Sequence, residues 1–139
     1  MALGSNVGHR PEALRSLRAA LESDGVGVTG TSPEVITRPR GVLQQRDFLN
    51  QVVRLEAPSP LTPLTWLQHC QRAETVAGRR PTYRWGPRRA DADVLLLGDR
   101  GEVWWADDQL TVPHPGLCER DFLASLLNAA GYTGSRSAS

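Results

Sequence analysis

The residues with the clearest potential for chemistry are two aspartates, Asp91 and Asp93, separated by one alanine. They open an apolar run ending at Leu97, which predicts a buried strand. Side chains two apart on a strand point to one face, so both carboxylates would project together and repel. Mg²⁺ resolves such repulsion, because it favours one or two carboxylates completed by water and phosphate oxygens. The alternative interpretation is a solvated strand end with surface ion pairs.

The segment before the aspartates is rich in arginine, whose planar guanidinium binds phosphate oxygens bidentately. Its arginines are Arg79, Arg80, Arg84, Arg88 and Arg89. Trp85 stands among them and could stack on a flat ring. A metal-binding carboxylate pair beside such a loop predicts a polyphosphate site, in which arginines take up charge during phosphoryl transfer. A charged, solvated loop is the alternative.

Further along the chain, His114 lies between two prolines, where it is either a phosphate hydrogen-bond donor or a turn residue. Arg120 opens the last helical pattern and could make a second phosphate contact. All sixteen cationic side chains are arginine, so a Walker-type lysine loop is excluded. Cys70 and Cys118 have no ligand-like spacing.

The pattern of apolar residues predicts the elements that must position these groups. Strands are expected at 1–3, from Val26 towards Ile36, at 49–55, at 91–97 and at an edge over 102–106, with helices from Pro11, over 64–77 and over 120–130. The order strand, helix, strand, strand, helix, strand predicts an α+β, ferredoxin-like βαββαβ sandwich, an antiparallel sheet with helices on one face. We expect a single domain over 1–130 and a disordered tail over 131–139.

Composition limits the classes of protein and the partners that are possible. A net charge of +1 with 40% hydrophobic residues favours neither a disordered polyelectrolyte nor a general nucleic-acid binder. No stretch approaches the ~20 apolar residues of a membrane span, and the first residues lack a secretory signal pattern. We therefore expect a monomer in the cytoplasm that binds small molecules and neither nucleic acid nor membrane.

Five motifs, taken in order and spacing, resemble one enzyme family. They are Gly4-Ser5-Asn6, Phe48-Leu49-Asn50, the RWGPR run over 84–88, the Asp91 and Asp93 pair, and the LTVPH run ending at His114. This pattern is similar to the 6-hydroxymethyl-7,8-dihydropterin pyrophosphokinases of folate biosynthesis. The resemblance implies a ferredoxin-like fold and transfer of the pyrophosphoryl group of ATP to the pterin hydroxymethyl oxygen, with release of AMP.

The resemblance also implies roles for individual residues. Asp91 and Asp93 would hold two Mg²⁺ ions, with Asp91 also near the acceptor, while Arg84 and Arg88 would act on the triphosphate as catalytic residues. The remaining positions on the ATP side are Gln71, Glu74, Arg79, Trp85, Thr111, His114 and Arg120. The pterin would be hydrogen-bonded by Thr37 and Asn50 and held between Phe48 and Phe122, with Trp85 in the same cleft.

Three departures from the family pattern leave the acceptor open. Arg40 stands where an apolar residue is usual, Pro81 stands near the place of a second loop arginine, and the chain after Phe122 loses the usual continuation. One alternative is a diverged pyrophosphokinase that acts on another hydroxymethyl heteroaromatic compound. The other is a noncatalytic binding module, for example for single-stranded RNA, although the aspartate pair has no purpose there.

Overall fold

The structure, a computed structural model, describes residues 1–38, 46–79, 89–117 and 121–131. Several residues singled out above lie outside these ranges: Arg40, Arg80, Pro81, Arg84, Trp85, Arg88, Cys118 and Arg120. The predicted tail lies outside them too, apart from Gly131. No helix in the described ranges is long and apolar enough to cross a membrane.

Helices and strands alternate along the chain. In chain order they are β1 Ala2–Ser5, α1 Arg10–Ser23, β2 Gly27–Thr31, β3 Val35–Thr37, β4 Phe48–Glu56, α2 Pro63–Val76, β5 Asp91–Asp93, β6 Trp105–Ala106, β7 Thr111–Val112 and α3 Asp121–Ala129, with a 3₁₀ turn at Pro115–Leu117 before α3.

The main sheet is antiparallel, with strand order β2-β4-β1-β5. The short strand β3 pairs with β4 on the same side as β2, so β2 and β3 are two pieces of one bent edge strand. Ser32 bridges the two pieces, because its backbone N–H donates to the Val52 carbonyl and its Oγ accepts from the Val52 N–H, both at 2.9 Å. This order confirms the predicted ferredoxin-like α+β architecture.

Local sequence explains where the two long helices begin and end. Proline stands in the first turn of both α1 and α2, where its missing N–H costs no hydrogen bond. The Thr62 hydroxyl caps α2 by accepting from the Thr65 N–H at 3.2 Å. Gly78 follows α2 with a φ of 94°, a left-handed conformation that glycine adopts without strain.

Apolar side chains form a core on each face of the sheet. On one face Leu3, Leu49 and Val53 pack against α1 and α2, so the two helices of the βαββαβ unit share a face as predicted. On the other face Val52 and Leu95 pack against α3, through Leu123, Leu126 and Leu127. The third helix therefore covers part of the opposite face.

Two predicted strands are shorter than the sequence suggested. The run 91–97 is paired only over Asp91–Asp93, because Asp93 lies opposite Ala2 and β1 has no residue beside the rest of the run. The run 102–106 is a strand only at Trp105–Ala106, and its partner is β7 in a separate two-stranded sheet. The edge strand predicted over 102–106 is therefore present only over its last two residues, outside the main sheet.

Candidate active site

One face of the sheet gathers the polar residues predicted from the sequence. Gly4 of β1 lies between Asn50 of β4 and Asp91 of β5, and Thr37 of β3 lies opposite Phe48 of β4. Directly paired residues of antiparallel strands project to the same face. We call this surface the site face; it consists of Gly4, Thr37, Phe48, Asn50, Asp91 and Asp93.

Gly4 forms the floor of the site face. A Cβ atom at this position would lie 3.0 Å from Asn50 Oδ1 and 3.6 Å from Phe48 Cδ1. The amide and the ring therefore lie close over the backbone of β1, where a side chain would crowd the Asn50 amide. Gly4 is itself buried, with the Asn50 amide of β4 on one side and the Asp91 carboxylate of β5 on the other.

Asn50 and Thr37 form a polar pair beside this floor. The Asn50 side-chain amide donates to Thr37 Oγ1 at 2.5 Å. This bond directs Asn50 Oδ1 towards Gly4 as an acceptor and leaves the Thr37 hydroxyl its own proton to donate. The pair thus offers one acceptor and one donor to a ligand on the site face.

Asp91 is linked to α2 through Arg79 and Glu74. Arg79 NH1 contacts Glu74 Oε2 at 2.6 Å and Asp91 Oδ1 at 3.1 Å, and Glu74 Oε2 also accepts from the Ala92 N–H at 2.8 Å. The Glu74 side chain is only 12% exposed, and burial raises its pKa against the opposing effects of the Ala92 hydrogen bond and Arg79. Glu74 therefore ties β5 to the last turn of α2.

Arg89 fills the space between the β1–α1 loop and the end of α2. A Cβ on Gly8 would lie 2.9 Å from its NH1, and one on Gly78 would lie 2.9 Å from its Nε. Both glycines have positive φ angles, 71° and 94°. The arginine thus lies across two glycines and fixes the chain just before the aspartates.

The β1–α1 loop also fixes the entry to β4. Asn6 is buried and donates from Nδ2 to the Arg46 carbonyl at 3.2 Å, while Arg46 NH1 donates to the Gly8 carbonyl at 3.0 Å. Arg10 NH1 donates to the Asp47 carbonyl at 2.8 Å. These bonds position the chain two residues before Phe48.

His114 lies beside the strand that carries the aspartates. Its backbone N–H donates to the Leu95 carbonyl at 2.9 Å, two residues after Asp93. Its Nδ1 accepts from the Gly116 N–H at 2.9 Å, so the neutral ring carries its proton on Nε2. Nε2 is therefore a hydrogen-bond donor, the form that a phosphate contact requires.

The other predicted residues occupy separate places. Phe122, at the start of α3, is half-buried against the core on the same side of the sheet as Phe48. Gln71 is exposed on α2, one turn before Glu74, and Thr111 is exposed on β7. The residues that the structure brings together are thus Thr37, Phe48, Asn50, Asp91, Asp93, Glu74 and Arg79.

The carboxylates suit a divalent cation that is only partly held by protein. In the described ranges no group of three His, Cys, Asp or Glu side chains could hold a metal ion. Asp91 and Asp93 supply two carboxylates on one face of β5, and Asp91 lies opposite Gly4 of β1. This donor set fits Mg²⁺, which is rarely enclosed by protein ligands alone.

Sequence reasoning gave no separate role to Gly4 or Asn6. Both were noticed only as part of a motif, although a glycine inside a strand is a recognised sign of close approach by another group. Asn6 carried no such signal, because its contact with the Arg46 carbonyl spans forty residues of chain.

A sheet face with a carboxylate pair, a polar amide and an aromatic ring defines a small-molecule site of the kind found in enzymes. Comparison with known proteins identifies the family. The profile described as "7,8-dihydro-6-hydroxymethylpterin-pyrophosphokinase (HPPK)" matches residues 1–130. The chain therefore belongs to the 7,8-dihydro-6-hydroxymethylpterin-pyrophosphokinase family.

Named relatives agree with this assignment. A 2-amino-4-hydroxy-6-hydroxymethyldihydropteridine pyrophosphokinase of Bacillus subtilis is 40% identical over 128 residues, 91% of this chain and 74% of that protein. A protein of the same name from Haemophilus influenzae is 35% identical over 124 residues, 88% of this chain and 74% of that protein. The folic acid synthesis protein fol1 of Schizosaccharomyces pombe is 34% identical over 124 residues, and the match spans 16% of its length.

Proposed function

We propose that this protein transfers the pyrophosphoryl group of ATP to the hydroxymethyl group of 6-hydroxymethyl-7,8-dihydropterin in folate biosynthesis. Family membership and the site face support this function together. The observation that carries the proposal is the position of Gly4 between Asn50 and Asp91, which brings a polar amide and a carboxylate to the two sides of one glycine on the site face.

The acceptor would lie on the floor formed by Gly4. A pterin edge carries both N–H donors and ring-nitrogen acceptors, which match the Asn50 Oδ1 acceptor and the Thr37 hydroxyl donor. Phe48 lies against Gly4 and offers an apolar face to the ring, and Phe122 is the candidate for its other face. These four residues are the proposed acceptor contacts.

Asp91 and Asp93 would hold magnesium. Bound Mg²⁺ would neutralise charge on the phosphates of ATP. The protein's own contribution is to hold both carboxylates on one strand face, since β5 is fixed to β1 by pairing and to α2 by the hydrogen bond from Ala92 to Glu74. That arrangement keeps the carboxylates beside Gly4, next to the proposed acceptor contacts.

The phosphates would be contacted by cationic and donor groups at the edge of β5. Arg79 is 30% exposed and can exchange an ion pair with Asp91 for one with phosphate. His114 Nε2 is a further donor. Glu74 contacts Ala92 and Arg79 and so would also position β5, and its contact with ATP stays a prediction. Gln71 and Thr111 stay predictions, as do the number of magnesium ions, the monomeric state and the cytoplasmic location.

The direct test is incubation with ATP, Mg²⁺ and 6-hydroxymethyl-7,8-dihydropterin, with AMP and the pterin diphosphate separated by chromatography. We expect AMP to form only when the pterin is present. If AMP forms only with a different hydroxymethyl heteroaromatic compound, that compound and not the pterin is the acceptor. No AMP with any acceptor, together with binding of single-stranded RNA, would favour the noncatalytic alternative.

A substitution of Arg40, which lies outside the described residues, tests the identity of the acceptor further. A cation at the pocket rim would favour an anionic acceptor, by roughly 1–3 kcal/mol for a charge-assisted hydrogen bond. We expect wild type to prefer the neutral pterin over a carboxylated analogue, and Arg40→Leu to keep that preference. If wild type turns over the pterin poorly and Arg40→Leu turns it over better, the pterin is not the natural acceptor. The protein would then be a diverged pyrophosphokinase that acts on another hydroxymethyl heteroaromatic compound.

A further inference from the structure

The strand that carries the two carboxylates is short. β5 spans Asp91–Asp93, and its pairing with β1 ends where Asp91 lies opposite Gly4. On the opposite edge of β5 the Ala92 N–H donates to Glu74 of α2 at 2.8 Å. No strand in the described ranges pairs with residues 89 and 90, so other contacts must fix the chain where it enters β5.

The side chain of Arg89 reaches from this entry to both neighbours of β5. A Cβ atom on Gly78 would lie 2.9 Å from Arg89 Nε and 3.1 Å from its Cδ, and a Cβ atom on Gly8 would lie 2.9 Å from its NH1. Gly78 comes just after α2, and Gly8 lies in the loop between β1 and α1. Arg89 therefore contacts the α2 side with its stem and the β1 side with its guanidinium group.

Two glycines provide the space for this long side chain. A side chain at residue 8 or 78 would approach Arg89 more closely than a Cβ atom tolerates. Both glycines also have positive φ angles, 71° and 94°, which other residues rarely adopt. Lysine at position 89 would keep its Cδ atom against Gly78 but has no atom in the place of NH1. The two contacts together therefore require arginine.

The charge of Arg89 does not explain its position. A cation close to Asp91 and Asp93 opposes the binding of a second cation there, because like charges repel. Arg79 forms an ion pair with Asp91 at 3.1 Å, whereas the close contacts of Arg89 are with the two glycines. Ala90, between Arg89 and Asp91, is fully buried in the core beside α1 and α2. The contribution of Arg89 is therefore geometric.

We propose that Arg89 is a positioning residue for the metal-binding carboxylates, because it holds the start of β5 between Gly8 and Gly78. The inference rests on the metal role of Asp91 and Asp93 in the proposed function. Both carboxylates lie on one three-residue strand, so a shift of its first residue displaces both. Residues that orient metal ligands commonly change metal affinity about 10–100-fold when they are lost.

The first test is the affinity for Mn²⁺ alone, which prefers the same oxygen ligands as Mg²⁺ and is followed by electron paramagnetic resonance. Arg89→Met keeps a long stem without the guanidinium group, and Arg15→Met removes the same charge from an exposed position of α1. We expect Kd to rise about tenfold in Arg89→Met and to stay within about twofold of wild type in Arg15→Met. Loss of charge alone would lower Kd, so a Kd at or below that of wild type in Arg89→Met would overturn the proposal.

Hydrogen exchange tests the same contacts without a metal. The Ala92 amide should exchange about tenfold faster in Arg89→Met, because the start of β5 is held less firmly. The Val52 amide of β4, which donates to Ser32 Oγ at 2.9 Å, should exchange as in wild type. Unchanged exchange at Ala92 would overturn the proposal. If wild type binds no Mn²⁺, the metal role in the proposed function is refuted, whereas faster exchange at Ala92 still supports the positioning of β5 by Arg89.

Arg89→Lys separates the two contacts and replaces Arg89→Met if that variant does not fold. Because lysine keeps the contact with Gly78 and loses the contact with Gly8, we expect a Kd for Mn²⁺ about threefold above that of wild type. A wild-type Kd in Arg89→Lys would overturn the part of the proposal that concerns Gly8. The Tm of each variant should stay within about 3 °C of wild type. A lower Tm with unchanged Mn²⁺ affinity would show a merely structural role and overturn the proposal.

Discussion

The two faces of the sheet differ in what their side chains do, although they alternate along the same strands. On the helix-covered face Leu3, Leu49 and Val53 are almost fully buried against α1 and α2. On the site face their neighbours are Gly4, which has no side chain, and Asn50, whose amide presents polar atoms. The comparison shows that neighbouring residues of β1 or β4 serve different purposes. One packs into the core, and the next lies on the site face.

This alternation means that stability and activity should respond to different residues of one strand. A change on the helix-covered face removes buried apolar contacts and lowers the free energy of unfolding. A change on the site face should alter catalysis or binding while the fold persists. Three substitutions test the division, and two carboxylate substitutions with smaller expected effects follow them.

Asp93→Asn should have the largest effect. Loss of one carboxylate removes a magnesium ligand, and we expect kcat to fall at least about 10³-fold, roughly 4 kcal/mol of transition-state stabilisation. The Tm should remain within about 2 °C of wild type. Steady-state kinetics and thermal unfolding measure both quantities, with the exposed Asp99→Asn as matched control; near-native kcat in Asp93→Asn would refute the metal assignment.

Leu3→Ala tests the opposite face of the same sheet. Leu3 is 1% exposed, so truncation should lower the free energy of unfolding by about 3 kcal/mol. Activity per folded molecule should be retained. Urea unfolding compares this variant with Leu64→Ala, whose leucine is 49% exposed and should cost less than about 0.5 kcal/mol. Equal losses would contradict the burial assigned to β1.

Gly4→Ala sharpens the comparison at the floor of the site. The new methyl group would lie 3.0 Å from Asn50 Oδ1 and would occupy the proposed acceptor space. We expect KM for the pterin to rise about 10–100-fold, or roughly 1.4–2.8 kcal/mol, with KM for ATP nearly unchanged. Gly27→Ala is the control, because its Cβ would lie 3.6 Å from the nearest atom. A larger change for ATP would place the acceptor elsewhere.

The smallest effect concerns two carboxylates with opposite pKa shifts. Burial raises the pKa of Glu74 above its ordinary 4.5, so the folded state holds this proton more tightly and stability falls as pH rises through the raised pKa. Burial alone would also raise the pKa of Asp24, but hydrogen bonds from His69 and Arg72 outweigh it and lower the pKa below 3.8. Its stabilisation is present above pH 3.8 and is lost as pH falls through the lowered pKa.

Tm measured from pH 3 to pH 7 distinguishes the two groups. Glu74→Gln should remove the decline towards neutral pH, whereas Asp24→Asn should destabilise most near neutral pH and least in acid. For Glu74→Gln the change in the free energy of unfolding should stay below about 1 kcal/mol at each pH. The exposed Glu22→Gln is the control. Parallel pH profiles for Glu74→Gln and wild type would show that this carboxylate does not titrate as its burial implies.

The sequence by itself determined the elements whose signals are local. The spacing of Asp91 and Asp93 placed both carboxylates on one face, because side-chain alternation is a property of any strand. Leucine spacing with an early proline and a terminal glycine gave α1 and α2 to within one or two residues. The family resemblance implied pterin contacts for Thr37, Phe48 and Asn50, which the structure places on one face of the sheet.

Only the tertiary structure decided what depends on chain segments far apart in sequence. The sequence predicted a strand over 91–97, but pairing needs a neighbour, and β1 reaches only to Asp93. The hydrogen bond from the Ala92 N–H to Glu74, eighteen residues away, depends on how α2 packs against β5, whereas the contact of Glu74 with ATP stays a prediction. Gly4 became the floor of the site because β4 and β5 lie on its two sides, and strand order is set by non-local pairing that local preferences do not encode.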